Sequence, residues 1–395
     1  MPLRLLRQTN LASSAVVLPD ELMAEIVSWL SVKHLIQLRC VNKFFQTLIS
    51  DPYFVQMHLM KSARTPNLAH IWLDSWEDDD SHIVSQSIPP FNSLHNHPSY
   101  RLIDFVSVDR VVGSCNGLIC LISSSYLSQD EWLCFWNPAT RTKSENFRIF
   151  SDLYSLRQDF KFSFGYDILN ETYKVVGFMA EIELGGNLKN VVKVFSLGDN
   201  SWRDIQCLPV IPLYWFDGCN NKDVYLNGTI NWLSNCNHDF YLMGVIENYV
   251  ILSLDLSTES YTQMMLPRGF DKGPKVQANI AVLMNFLCFC RDFERNHFVI
   301  WQMKDFGVQE SWVQLFKISY QNFYSINGNL FDIQRLKLLP IHLSENGYTL
   351  ILANIHKAPA FICDCRDDTI ERIRITNMNQ WLWAKDHIES LVPTR

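Results

Sequence analysis

The run Val194-Phe195-Ser196-Leu197-Gly198-Asp199-Asn200-Ser201-Trp202 reads as an apolar strand, a short polar turn, and a second strand that opens on an aromatic residue. Four other stretches have the same form. They are Leu133-Cys134-Phe135-Trp136-Asn137-Pro138-Ala139-Thr140, Ser253-Leu254-Asp255-Leu256-Ser257-Thr258-Glu259-Ser260-Tyr261, Ile300-Trp301-Gln302-Met303 with Ser311-Trp312, and Phe361-Ile362-Cys363-Asp364 with Thr369-Ile370. The spacing is roughly 50–60 residues, which marks repeated supersecondary units. Hairpin signals recur in the other half of the units: Asn116-Gly117, Asn227-Gly228 and Asn346-Gly347 between apolar runs, with Asn170-Glu171 and Asn285 in the same slot.

Five units are visible in this way. The segment from Ala69 to Asp104, with Ile71-Trp72-Leu73 and Ile83-Val84, supplies strands for a sixth, closed by the C-terminal run Trp381 to Val392. A ring closed by both ends hides its sheet edges. The expected fold of residues 65–395 is therefore a kelch-like β-propeller of six blades. Its loops fall into two sets, tight turns on one face and longer loops on the other. The longer set carries Trp215, Phe216, Tyr320 and Tyr324, the expected substrate anchors, because long loops on a rigid scaffold usually carry binding and aromatic residues usually dominate its energy.

Ahead of the repeats the pattern is helical. Leu22, Ile26 and Trp29 recur at i, i+4, i+7, and Met23, Val27 and Leu30 follow one step round. Ser31 and Asn42 are candidate N-caps for a second and a third helix, and Asp51-Pro52 restarts a helix with a cap and a proline at its first position. The unit expected over residues 18–64 is a three-helix domain, preceded by a flexible N-terminus, 1–17. The latter carries Arg4 and Arg7 without an acidic residue and reads as a frayed end in preference to a transit peptide. So short a helical unit, with stripes this broad, must pack on the rest of the chain or on a partner.

Composition narrows the function. Aromatic residues make up 13%, which suits β structure, and charged residues 19%. A net charge of −7 without a long basic run argues against nucleic acid as a partner. No stretch approaches the ~18 apolar residues of a membrane helix, so no membrane partner is expected. The 11 cysteines are scattered, as reduced thiols in the cytoplasm or nucleus would be.

Leu18-Pro19-Asp20-Glu21-Leu22, Glu25-Ile26-Val27, Leu30, Val32-Lys33, Leu35 and Arg39-Cys40-Val41-Asn42-Lys43, closing with Leu48-Ile49-Ser50-Asp51-Pro52-Tyr53-Phe54, resemble an F-box. In that family the segment docks a Skp-type adaptor, which bridges to a cullin scaffold. The resemblance implies that Leu18, Pro19, Leu22, Ile26, Leu30, Leu35 and Val41 form the contact. Ser31 stands where the family usually has a second proline and Phe45 where it usually has tryptophan, departures that lower the expected affinity. The repeats resemble the F-box-associated domain of a large plant family through Gly113-Ser114-Cys115-Asn116-Gly117-Leu118, Trp136-Asn137-Pro138-Ala139-Thr140-Arg141, Phe164-Gly165-Tyr166-Asp167 and Tyr225-Leu226-Asn227-Gly228-Thr229-Ile230-Asn231-Trp232. The resemblance implies a non-catalytic subunit of a ubiquitin ligase that captures a protein substrate and needs no cofactor. It extends to pollen S-locus F-box proteins, which recognise ribonucleases in self-incompatibility, and fits members outside that group equally well.

Two other classes compete. One is an F-box scaffold or small-molecule receptor that does not degrade its ligand. The other is a propeller enzyme. Gly113-Ser114-Cys115-Asn116-Gly117 has the form of a nucleophile elbow, but an elbow leads from strand into helix and the run that follows, Leu118 to Ile122, suits a strand. Cys288-Phe289-Cys290 and Cys363-Asp364-Cys365 each place two thiols on one strand face, which fits buried free thiols better than a zinc site.

Overall fold

The computed structural model describes residues 18–62, 67–71, 84–88, 100–101, 110–124, 130–149, 160–182, 188–213, 223–236, 249–268, 278–293, 296–323, 336–354, 359–374 and 383–394. Four helices come first: α1 (Asp20–Val27), α2 (Val32–Arg39), α3 (Lys43–Ser50) and α4 (Pro52–Ser62). The helix expected to restart at Asp51-Pro52 is α4, of 11 residues, so the unit has four helices where a three-helix domain was expected. Asp51 nucleates it, its Oδ1 accepting from the backbone N–H groups of Tyr53 at 2.8 Å and Phe54 at 3.3 Å. Asn42 caps α3 by accepting from the Phe45 N–H at 3.0 Å. Ser31 does not cap α2 with its side chain; its hydroxyl turns to His34 Nδ1 at 2.8 Å.

The described strands form six antiparallel sheets. Five use strands in sequence order: β4 (Arg110–Cys115) to β8 (Phe147–Arg148), β9 (Lys161–Asp167) to β12 (Ser201–Asp204), β13 (Ile211–Pro212) to β17 (Tyr261–Met265), β18 (Ala278–Leu283) to β21 (Trp312–Ser319), and β22 (Leu338–Leu343) to β25 (Thr369–Arg374). The other sheet joins the two ends of the domain. In it β26 (Trp383–His387) pairs with β1 (Asn67–Ile71), which continues to β2 (Val84–Ile88) and β3 (Tyr100–Arg101). Neighbouring innermost strands are in contact in a closed cycle that runs β4, β9, β14 (Asp223–Leu226), β18, β22, β26 and back to β4. The helical segment is thus followed by a β-propeller.

Burial explains why its strands lack simple alternation. In β5 (Leu118–Ser124) the five residues from Leu118 to Ile122 are all buried, because neighbouring sheets cover both faces of a central strand. The outer strand β12 is largely exposed. Hairpin turns carry the left-handed residues their tightness demands: Asn116 and Gly117 at φ 50° and 82°, Asn227 and Gly228 at 45° and 83°. At 346–347 only Gly347 takes positive φ, and Asn346 instead accepts from the Tyr348 N–H at 3.0 Å.

The aromatic that opens the outer strand in several repeats reaches back one sheet. Trp202 Nε1 donates to the Arg148 carbonyl at 3.2 Å, Tyr261 to Gln206 at 3.0 Å, and Trp312 Nε1 to Met265 at 3.0 Å. A charged network ties the same neighbours. Lys174, buried, meets Asp167 at 2.7 Å and Glu259 at 3.1 Å, and Glu259 also pairs with Arg203. Burial pushes the Asp167 carboxyl up, but hydrogen bonds from Lys174, Ser257 and Asn170 outweigh it and hold the group well below the usual carboxylate range. Asp167 therefore contributes stability that is full above about pH 4 and is lost as pH falls toward its folded value. Lys174→Met should cost about 3 kcal/mol at neutral pH, since it strands a buried carboxylate. The deficit in urea midpoint should shrink as pH falls below about 4, where the unfolded chain takes up a proton at Asp167 that the folded wild type still excludes.

Removing residues from Asn377 onward deletes β26 and bares the edge of β1. The shortened protein should aggregate, seen in size-exclusion chromatography. A soluble form with a cooperative unfolding transition would contradict the closed ring.

Candidate functional site

The helical segment buries a small core of Val27, Val32, Leu35, Ile49 and Phe54. His58 of α4 completes it, its Nε2 lying 3.0 Å from the Leu30 carbonyl, and burial lowers its pKa. With those side chains turned inward, many large apolar side chains stay exposed. Leu22 is 52% and Ile26 57% exposed, and Leu18, Leu30, Val41, Trp29, Phe44, Tyr53 and Met60 are exposed as well; so is Pro19. A monomeric protein rarely leaves so many large apolar side chains in water on so small a unit. Trp29 is held in place from behind: the Lys61 ammonium sits 4.6 Å above its ring and pairs with Glu25 at 2.6 Å.

Leu35 is the exception among the expected contact residues. It is 0% exposed, because the apolar stripe of α2 turns its centre toward α3 and α4. Sequence periodicity gave no means of telling the inner from the outer side of so broad a stripe. Trp29, Tyr53 and Met60 were missed as exposed residues for the same reason.

The expected substrate anchors fare differently. Tyr320 is 6% exposed and packs with Phe323, whose ring meets Phe361 edge-on at 5.0 Å, so it belongs to a core cluster and not to a binding surface. Trp215, Phe216 and Tyr324 lie outside the described residues.

Cys115 ends β4 and Leu118 begins β5 across the Asn116-Gly117 turn, so the elbow-like motif leads from strand to strand and not into a helix. Cys288 and Cys290 are buried in one apolar cluster, where burial pushes the Cys288 thiol up to about 12 and Cys290 higher than its ordinary value. Both are protonated at neutral pH and suited to packing.

The two ends of the propeller meet on its tight-turn face, where Asn67 of β1 pairs with His387 of β26. The helices therefore sit on that face. Val55 and Leu59 of α4 pack against the cluster formed by Val112, Leu118 and Phe135, and Gln56 hydrogen-bonds Tyr166. The far ends of the second and third strands, where Ser124 pairs with Glu131 and Ile182 with Leu188, lie on the face away from the helices.

The sequence agrees with this layout. Residues 17–57 match the F-box domain, and residues 56–393 match the F-box associated beta propeller domain. The chain belongs to the family of F-box proteins with an F-box-associated β-propeller. Its relatives include F-box protein CPR1 of Arabidopsis thaliana, 26% identical across 82% of this chain and 79% of that protein. An F-box/kelch-repeat protein of the same plant is 24% identical across 76% of this chain and 79% of its own length. Among solved structures, a chain of a nidogen/laminin complex aligns over 82% of this chain and 99% of its own, at a TM-score of 0.42 and 8% identity.

Leu35→Ala should destabilise the helical segment by about 2–5 kcal/mol, the usual cost of emptying a buried leucine site. Ile26→Ala should leave the melting temperature nearly unchanged. Thermal unfolding followed by helix circular dichroism separates the two; equal effects would contradict the assignment of inner and outer sides.

Proposed function

We propose that this protein is the substrate receptor of a Skp–cullin–F-box ubiquitin ligase. The observation that carries the reading is the open apolar side of the F-box, built from Leu18, Pro19, Leu22, Ile26, Leu30 and Val41 and extended by Trp29. Such a surface is what a Skp-type adaptor would cover, and the adaptor would link the chain to a cullin. The receptor itself performs no chemistry: it raises the effective concentration of a substrate lysine near the charged conjugating enzyme. A cytoplasmic or nuclear setting belongs to the same reading.

The substrate is a protein, and its place is the long-loop face, away from the helices. The support is geometric: α4 covers part of the tight-turn face, which leaves the opposite face clear of the adaptor. Trp215, Phe216 and Tyr324 remain the expected anchors there; Tyr320, being buried, is withdrawn. The propeller is read as six-bladed, supported by the six sheets and the cycle of innermost strands.

Changing Leu18→Ala and Pro19→Ala together should weaken binding to a purified Skp-type adaptor about thirtyfold, since truncating interface anchors typically costs ~2 kcal/mol or more. Calorimetric titration of the full chain measures this, with the melting temperature as a control. Binding at the unaltered affinity would refute the docking assignment.

A further inference from the structure

The last described segment, residues 388–394, lies between the F-box and the propeller and contacts both. Leu391 enters the F-box core with Val27, Val32, Leu35 and Phe54. Its neighbour Val392 points the other way, into the propeller cluster of Val112, Leu118 and Phe135. Alternate side chains of one extended stretch thus serve two hydrophobic cores.

Polar contacts fix the segment at both sides. Asn137, fully buried, donates from Nδ2 to the Ser390 carbonyl at 3.0 Å and to the Val392 carbonyl at 2.8 Å. Its Oδ1 accepts from the N–H groups of Ala139 and Thr140, at 3.0 and 3.2 Å, so the whole amide is committed. On the helical side, Glu389 accepts from the Val32 N–H, an orphan donor of the first turn of α2 that Ser31 leaves uncapped. Gly117 lets the segment pass closely: a Cβ there would stand 2.3 Å from Ser390 Oγ and 2.6 Å from the Ile388 carbonyl, and its φ of 82° disfavours any side chain.

We infer that residues 388–394 are a splint that holds the F-box in one orientation on the propeller, with Leu391 and Asn137 as its positioning residues. One segment interdigitated with two cores adds a second anchor to the packing of Val55 and Leu59 of α4 on the propeller. That this rigidity serves ubiquitin transfer, by keeping a bound substrate at one distance from the adaptor, rests on the receptor reading above. The splint itself does not.

The test uses the full chain with spin labels on two exposed native cysteines, Cys40 at the end of α2 and Cys207 on the propeller, in a background of Cys219→Ser, Cys236→Ser and Cys365→Ser. Pulsed EPR should give one narrow distance distribution. Asn137→Asp keeps the acceptor of the turn but removes both donors to the tail, and Leu391→Ala empties the F-box side. Each should abolish the narrow peak while the β-domain unfolding transition persists. A narrow peak retained in both variants would overturn the splint. Titration of the same unaltered protein with a purified Skp-type adaptor reports separately: absence of binding refutes the receptor reading and leaves the distance result to judge the splint.

Discussion

The architecture depends on how one sheet is fixed against the next. Each central strand is apolar on both faces, so hydrophobic burial drives the sheets together but says little about their rotation. Direction comes from polar groups that reach across to the neighbouring sheet. The indole N–H groups of Trp202 and Trp312 and the hydroxyl of Tyr261 each have one carbonyl of the preceding sheet to reach, at Arg148, Met265 and Gln206. A hydrogen bond of this kind is worth about 0.5–1.5 kcal/mol net, so each favours the angle that makes it. Trp232 adds a fourth tie, from its Nε1 to Ser163 Oγ at 3.0 Å. The aromatic that makes the repeat visible in sequence is thus the residue that sets the geometry between repeats.

The same logic shows why the two parts of the chain are a unit. Both ends of the propeller arrive at one face, where Asn67 and His387 pair. The F-box that precedes the first strand and the tail that follows the last one have no choice but to meet there. Their contact leaves an open apolar side on the helices and leaves the opposite propeller face clear. On the receptor reading proposed above, adaptor and substrate would take separate surfaces for this topological reason.

Much of this was legible from residue order. Asn-Gly pairs marked the two tight hairpins at 116–117 and 227–228, because positive φ on consecutive residues leaves few chemical choices. The pairing of the C-terminal run with the segment after the F-box followed from the cost of a bare edge. What sequence could not give was depth. Leu35 and Leu22 are both leucines on amphipathic helices, and only the partner helices decide that one is inside and the other out. Tyr320 looked like a loop aromatic because the ring of Phe361, far along the chain, supplies the wall it packs near through Phe323. The role of Asn137 was equally hidden: its partners at Ser390 and Val392 are about 250 residues away, beyond any local pattern.

The central claim is that the F-box side links this chain to a ligase while the propeller carries cargo. The most direct measurement is affinity purification of the full chain from plant cells under proteasome and neddylation inhibitors, analysed for adaptor, cullin and ubiquitinated protein. The account predicts that a Skp-type adaptor and a cullin co-purify in comparable amounts with the chain, together with a protein that is lost when the propeller is removed. Recovery of the intact, folded chain without adaptor or cullin would contradict it.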